Sequence, residues 1–243
     1  MHCLNLTLPE TAENLALDEA LLEHAEAAGS PCETLRLWEP AQPAVVVGRS
    51  SRIAEEVDLA ACRALGVDVL RRVSGGAAIV TGPGCLMYAV VLSLEMRPAL
   101  RTIDRAHRLV LSTIAAALEP LTPGVRCRGT SDLVIADAGG ERKFSGNSVR
   151  CRRRHLLYHG TLLYDFPLEL IGRCLTMPPR QPAYRQGRDH QAFVGNLPLT
   201  AAAIRASLIA AWDATEPAAN WPRQLTARLA AEKYRRREWN EQL

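Results

Sequence analysis

A lysine kept in a chain that otherwise uses arginine is the first residue with chemistry in view. Of 29 basic side chains only two are lysines, Lys143 and Lys233. An ammonium is a compact point charge with three donors and a tunable pKa. It suits carbonyl or phosphate oxygens at close quarters, where a planar guanidinium does not fit. Lys143 opens the stretch 143–164, KFSGNSVRCRRRHLLYHGTLLY. There Gly146 and Asn147 predict a turn that presents the lysine, a basic run follows, and an alternating apolar strand ends in His159-Gly160. Lys233 falls in a charged helical tail and reads as part of a solvated face.

A second candidate lies upstream, at Arg71-Arg72-Val73-Ser74-Gly75-Gly76-Ala77. Two glycines after a serine let backbone amides approach a ligand, and the arginines can neutralise an anion. No Gly-Lys-Ser/Thr follows and the spacing is not GxGxxG, so neither nucleotide fingerprint applies. A plain turn is the competing reading. The cluster Arg150–Arg154 (RCRRR) fits a phosphate-bearing ligand or an acidic partner, and equally a strand edge blunted by charge.

The elements that must position these residues follow from periodicity. Thr11 predicts a cap for a helix over 12–28. Strands are expected at 34–38 and 44–48, a helix at 55–65, and strands at 67–70 and 86–94. Positions 103–118 have clear helical spacing. Strands at 130–135 and 141–150 flank the turn Ala138-Gly139-Gly140, and 155–164 alternates as another. A short helix at 168–175 leads to an irregular segment, 178–193, which reads as a mobile cover carrying Tyr184, Arg185, Arg188 and His190. Helices at 201–212 and 224–237 close the chain. Strands in mixed order with helices between them predict an α+β fold, a mixed β-sheet flanked by helices, in one domain over 1–243.

Composition narrows the classes. With 243 residues, 48% hydrophobic and 23% charged, the chain can bury a large core. A net charge of +3 gives no general nucleic-acid role. Seven cysteines, an odd number with no CxxC or Cys/His metal spacing, read as reduced thiols of a cytoplasmic protein. The first residues lack the pattern of a signal peptide, and no apolar run reaches the roughly 18 residues of a membrane span.

Taken together, RRVSGGAA at 71–78, TSDLVI at 130–135, KFSGNS at 143–148 and HGTLL at 159–163 resemble the lipoate/biotin protein ligase catalytic-domain family, of the lipoate–protein ligase A type. The order and separations match, and VVVGRSSRIAEE at 45–56 resembles an early strand-turn-helix of that family. The resemblance covers roughly residues 12–178. It implies activation of lipoate or octanoate by ATP to an acyl-adenylate and transfer to a lysine of a lipoyl-domain protein. Lys143 would contact the carbonyl and phosphate. Arg71 and Ser74, Gly75, Gly76 and Ala77 would place acyl chain and phosphate, the 75–78 segment walling an acyl tunnel as a strand. Asp132 would hold Mg²⁺ or position the acceptor amine. His159 and Gly160 would line the pocket, His159 as a hydrogen-bonded strand-end residue.

This sequence departs from the family pattern at Ala77 and Ser131, and at Thr81, Gly82, Cys85 and Met87 after the glycines. Those changes bear on nucleotide and metal placement more than on acyl binding. The family's ligases also carry a C-terminal accessory domain that does not fit in full here, which leaves room for an accessory subunit. Two further readings stay open. One is an octanoyltransferase of the same fold, taking its acyl group from acyl carrier protein through a cysteine thioester. Its nucleophile would be Cys127, flanked by arginines that favour a thiolate, while Cys174 reads as packing. The other is a non-catalytic lipoate-binding module. A Cys/His protease finds no triad spacing.

Overall fold

The computed structural model of the protein describes residues 1–29, 31–137 and 139–242, without the side chain of Asp137. Eleven strands are described: β1 (His2–Asn5), β2 (Thr34–Trp38), β3 (Ala44–Val47), β4 (Asp68–Arg71), β5 (Ile79–Thr81), β6 (Cys85–Ser93), β7 (Val125–Arg128), β8 (Asp132–Asp137), β9 (Gly140–Cys151), β10 (His155–Leu163) and β11 (Glu216–Pro217). Eight of them form one mixed sheet in the order β11-β1-β2-β6-β10-β9-β8-β7, and three form a small sheet, β4-β3-β5. The helices are α1 (Thr11–Ala28), α2 (Ile53–Glu56), α3 (Leu59–Leu65), α4 (Ile103–Leu118), α5 (Glu169–Cys174), α6 (His190–Phe193), α7 (Ala201–Ala211), α8 (Arg223–Leu229) and α9 (Arg237–Asn240). The α+β class with a mixed, helix-flanked sheet is the one expected. Among the described residues, no helix is long and apolar enough to cross a membrane.

Strand β10 pairs with β6 along one edge and with β9 along the other, and because helical layers cover both its faces all nine residues are buried. Leu156, Tyr158 and Leu162 face a layer built on α4, where Ala106, Val110 and Ile114 recur at helical spacing. Leu157 turns the other way, onto Leu17, Leu21 and Leu22 of α1. Helix α1 is buried nearly all round because the sheet lies on one side and α8 on the other. Its polar residues inside are therefore paired. Glu19 accepts from Lys233 and from the Tyr234 hydroxyl, each at 2.8 Å.

Several expectations need correction. Thr11 is the first residue of α1 rather than its cap. Glu10 holds that place, with its N–H donated to the Glu13 carboxylate at 3.3 Å. The helix expected at 55–65 is two, because Asp58 caps α3 by accepting the Ala61 N–H and Val57 bridges to Leu175. The helix expected at 224–237 breaks at a wide turn, 230–234, which swings Lys233 and Tyr234 together onto Glu19. Lys233 is thus a paired, half-buried group lying 4.1 Å from the Trp239 ring centre, not a solvated charge. Strands β1, β7 and β11 carried too little alternation to be expected. The turn expected at 138–140 includes Ala138, which lies outside the described residues.

Candidate active site

The strand carrying Lys143 has an extra residue. Leu133 of β8 pairs with Ser145 and Val134 pairs with Lys143, so Phe144 has no partner and forms a bulge. Period-2 alternation alone would put Lys143 on the face opposite Gly146. The bulge returns it to the same face, where its Cε and Nζ lie 3.1 Å from the point a Cβ on Gly146 would occupy. Lys143 therefore lies along a bare patch of its own strand. No turn occurs at Gly146-Asn147, contrary to expectation, since β9 runs unbroken from Gly140 to Cys151.

Opposite Gly146 stands Asp132, whose Oδ1 is 2.7 Å from Lys143 Nζ. Its Oδ2 accepts the Tyr184 hydroxyl at 2.8 Å. Burial, then the Asp132 charge, pushes the Tyr184 phenol well above its ordinary range, so it remains a donor. Asn147 secures this corner from behind. Its Nδ2 donates to the Ser131 carbonyl at 2.8 Å, and its Oδ1 accepts from Tyr88. Gly160 makes room for that amide, because a Cβ there would meet Asn147 Oδ1 at 1.9 Å. Gly160→Ala should displace Asn147 and destabilise the protein by about 1–3 kcal/mol, read as a lower midpoint in urea; an unchanged midpoint would refute the packing role.

Two cavities meet at Lys143. The larger, about 440 Å³, runs past Gly146 and Ser148 to Leu15, Val46, Met87 and His159. The smaller, about 140 Å³, lies between Ile79, Val80, Leu163 and Phe193. Ala77, Ala78 and Gly146 wall both. The segment Gly75–Ala78 is a loop rather than the expected strand, with Gly76 at φ +88° and its carbonyl turned towards Gly48 and Ser51.

His159 is in the middle of β10, not at its end. Its Nε2 is 2.5 Å from Ser74 Oγ and its Nδ1 is 3.5 Å from Asp18 Oδ2. Asp18 is ion-paired with the fully buried Arg36. The chain Arg36–Asp18–His159–Ser74 ties helix α1, two strands and the glycine loop together beneath the larger cavity.

Arg71 does not reach either cavity. Its guanidinium donates to the backbone carbonyls of Gly48, Arg49, Ser51, Trp239, Asn240 and Gln242, and so fastens the C-terminal segment. Arg72 lines the larger cavity instead, with all its bonds made to the carbonyls of Val46, Gly75 and Ala77. Burial pushes its guanidinium down to about 10. Alternation along an extended segment could have signalled that only one of two adjacent arginines faces the site. Thr81, Cys85 and Met87 form a buried sulfur-rich group, with Thr81 Oγ1 donating to Met87 Sδ at 3.2 Å.

Cys127 stands on β7, the outermost strand, and lines neither cavity. Its flanking arginines are spent on Glu141, at 2.6 and 2.8 Å, and burial pushes its thiol up rather than down. Cys174 is fully buried, in keeping with packing. The segment 178–193 is fastened over the site rather than free: Arg185 is buried against Phe193, and Arg188 donates to the carbonyls of Glu141 and Tyr184. As for Mg²⁺, Asp132 is the one carboxylate lining the larger cavity, its neighbours there are the Lys143 ammonium and the Tyr184 hydroxyl, and no group of three metal-binding side chains occurs among the described residues. The arrangement does not fit a metal held at Asp132.

Fold and site define an α+β ligand-binding domain with a lysine–aspartate pair where two pockets join. The chain belongs to the lipoyl protein ligase A/B catalytic-domain family, whose model matches residues 10–205. It is 35% identical over 150 residues to a putative lipoate-protein ligase A of Aeropyrum pernix, covering 62% of this chain and 52% of that one. The chain thus spans about half the length of that relative. It is 33% identical over 192 residues to the octanoyltransferase LipM of Symbiobacterium thermophilum, covering 71% and 68%. Among solved structures, a bi-partite lipoate protein ligase of Thermoplasma acidophilum, studied with its E2 lipoyl domain, superposes with a TM-score of 0.81. It is 23% identical, and the match covers 99% of this chain and 95% of that one.

Proposed function

We propose that the protein activates lipoate, or a close medium-chain acid such as octanoate, with ATP and passes the acyl group to a lysine of a lipoyl-domain protein. The observation that carries the reading is the place of Lys143 on the wall shared by both cavities. The acid's tail would occupy the larger cavity against Leu15, Val46 and Met87, and the nucleoside the smaller. Strand β5 is an edge of its sheet, so one row of its backbone groups has no strand partner, and that row would meet the base.

With the carboxylate beside Lys143 Nζ, one of its oxygens attacks the α-phosphorus and pyrophosphate leaves. The ammonium offsets charge on the transferring phosphate, then on the carbonyl oxygen when the acceptor amine attacks the acyl carbon and AMP departs. Asp132 holds the ammonium at that point and is placed to take the proton of the incoming amine. The bi-partite make-up of the Thermoplasma ligase supports a second subunit here as well.

The relatives named octanoyltransferase favour a second reading, octanoyl transfer without ATP, for which the sequence offers Cys127 as the thiol. The two separate in one experiment. Pyrophosphate release from ATP is measured with lipoate, octanoate and biotin in turn, and octanoyl transfer from acyl carrier protein to a lipoyl domain is measured in wild type and Cys127→Ser. Release with lipoate or octanoate, and none with biotin, is the expected result. No release with any acid, together with transfer that Cys127→Ser abolishes, would replace the ligase reading by the transferase.

A further inference from the structure

Among the residues lining the smaller cavity, Glu56 is the one carboxylate. It ends α2 and is 9% exposed, and its Oε2 accepts the Ala78 backbone N–H at 2.5 Å. Oε1 has no hydrogen-bond partner among the described residues, yet it is not among the unpartnered atoms sealed from solvent. It is thus open to solvent, on a residue that lines the cavity. The other polar side chains of that wall are engaged or positively charged. The Thr161 hydroxyl accepts the Gly146 N–H, the Thr176 hydroxyl donates to the Glu55 carbonyl, and His190 Nε2 meets the Thr176 carbonyl. Arg185 and Lys143 are cations. Phe193, with the Arg185 guanidinium 4.7 Å from its ring centre, gives the slot a flat side.

A carboxylate oxygen with no donor, on a residue only 9% exposed, gains free energy when the slot's occupant donates to it. A flat occupant there needs an N–H donor on the edge that meets Glu56. We propose that Glu56 reads the exocyclic amino group of the nucleotide's base, and so selects adenine over a purine with an oxo group or hydrogen at that place. This rests on the assignment of the smaller cavity to the nucleotide. Glu56 is a specificity-determining residue, and its Oε2 bond to Ala78 also fixes the loop between the two cavities.

The test compares ATP, ITP and purine riboside triphosphate by kcat/KM for pyrophosphate release with lipoate, in wild type and Glu56→Gln. The carboxamide keeps an oxygen for Ala78 and turns a donor towards the base. Wild type should prefer ATP over ITP by about 100-fold and over purine riboside triphosphate by about 10-fold or more. The ATP/ITP ratio should fall below about tenfold in Glu56→Gln, because the new donor suits the oxo group. The wild-type comparison stands even if the variant does not fold. ATP and ITP used equally well by wild type, or a ratio that Glu56→Gln leaves unchanged, overturns the inference while the ligase reading survives. No release with any nucleotide overturns both.

Discussion

Lys143→Arg is expected to lower the rate of pyrophosphate release on the order of 10²–10³-fold while the melting temperature stays within about 2 °C of wild type. The lysine lies flat on Gly146, 3.1 Å from that glycine's missing Cβ, and ends 2.7 Å from Asp132 Oδ1. A guanidinium is broader and would pair with Asp132 through two parallel bonds. That geometry would turn its donors from the point where the two cavities join. Charge is conserved, so the loss reports position rather than sign. Single-turnover release alongside a thermal melt separates catalysis from folding. Activity within tenfold of wild type would remove Lys143 from the centre of the mechanism.

The largest effect on stability should come from Arg36→Met. Arg36 is fully buried, and its guanidinium serves Asp18, the Asn14 side chain and the carbonyls of Asn14 and Leu6. Burial pushes the guanidinium down from its ordinary range, and Asp18 offsets part of that shift. Without it, Asp18 is a buried anion whose one other hydrogen-bond partner among the described residues is His159, and the expected cost is about 3–5 kcal/mol. For a chain of this size that is a drop in melting temperature on the order of 10 °C. The double variant Asp18→Leu, Arg36→Met should recover much of the loss, because a buried pair removed together leaves no uncompensated charge. It should not recover acyl-acid binding, since His159 loses its Nδ1 partner. A single variant that loses less than about 1 kcal/mol would show that water or relaxation already screens Asp18.

Much of the fold was legible because burial imposes periodicity. The 103–118 helix, the 34–38 strand and the alternating run at 155–163 each bury a face, or two, that the residue types record. The short outer strands were not legible: β1, β7 and β11 have two to four residues each. At that length, pairing with a neighbour decides the conformation rather than the strand's own pattern. The wide turn at 230–234 was hidden for a related reason, since it exists to bring Lys233 and Tyr234 onto a glutamate more than 200 residues away.

By itself the sequence determined which residues were unusual: a lone lysine in KFSGN, a glycine pair after two arginines, an aspartate before an apolar strand. Residue type is a local property, and the rarity of lysine in this chain is visible without any contact. Only the tertiary structure decided what those residues face. The bulge at Phe144 sets the side of β9 on which Lys143 lies, and it arises from register with β8 rather than from any residue of the KFSGN motif alone. Of two adjacent arginines, Arg72 faces the cavity and Arg71 fastens the C-terminal segment, a choice made by the turn at Gly48 and by residues 239–242. Glu56 carried no signal of a site, since the sequence placed it only at the end of VVVGRSSRIAEE and in the helix expected at 55–65. It became a cavity wall because α2 ends where the glycine loop passes, and the Ala78 N–H needed an acceptor there.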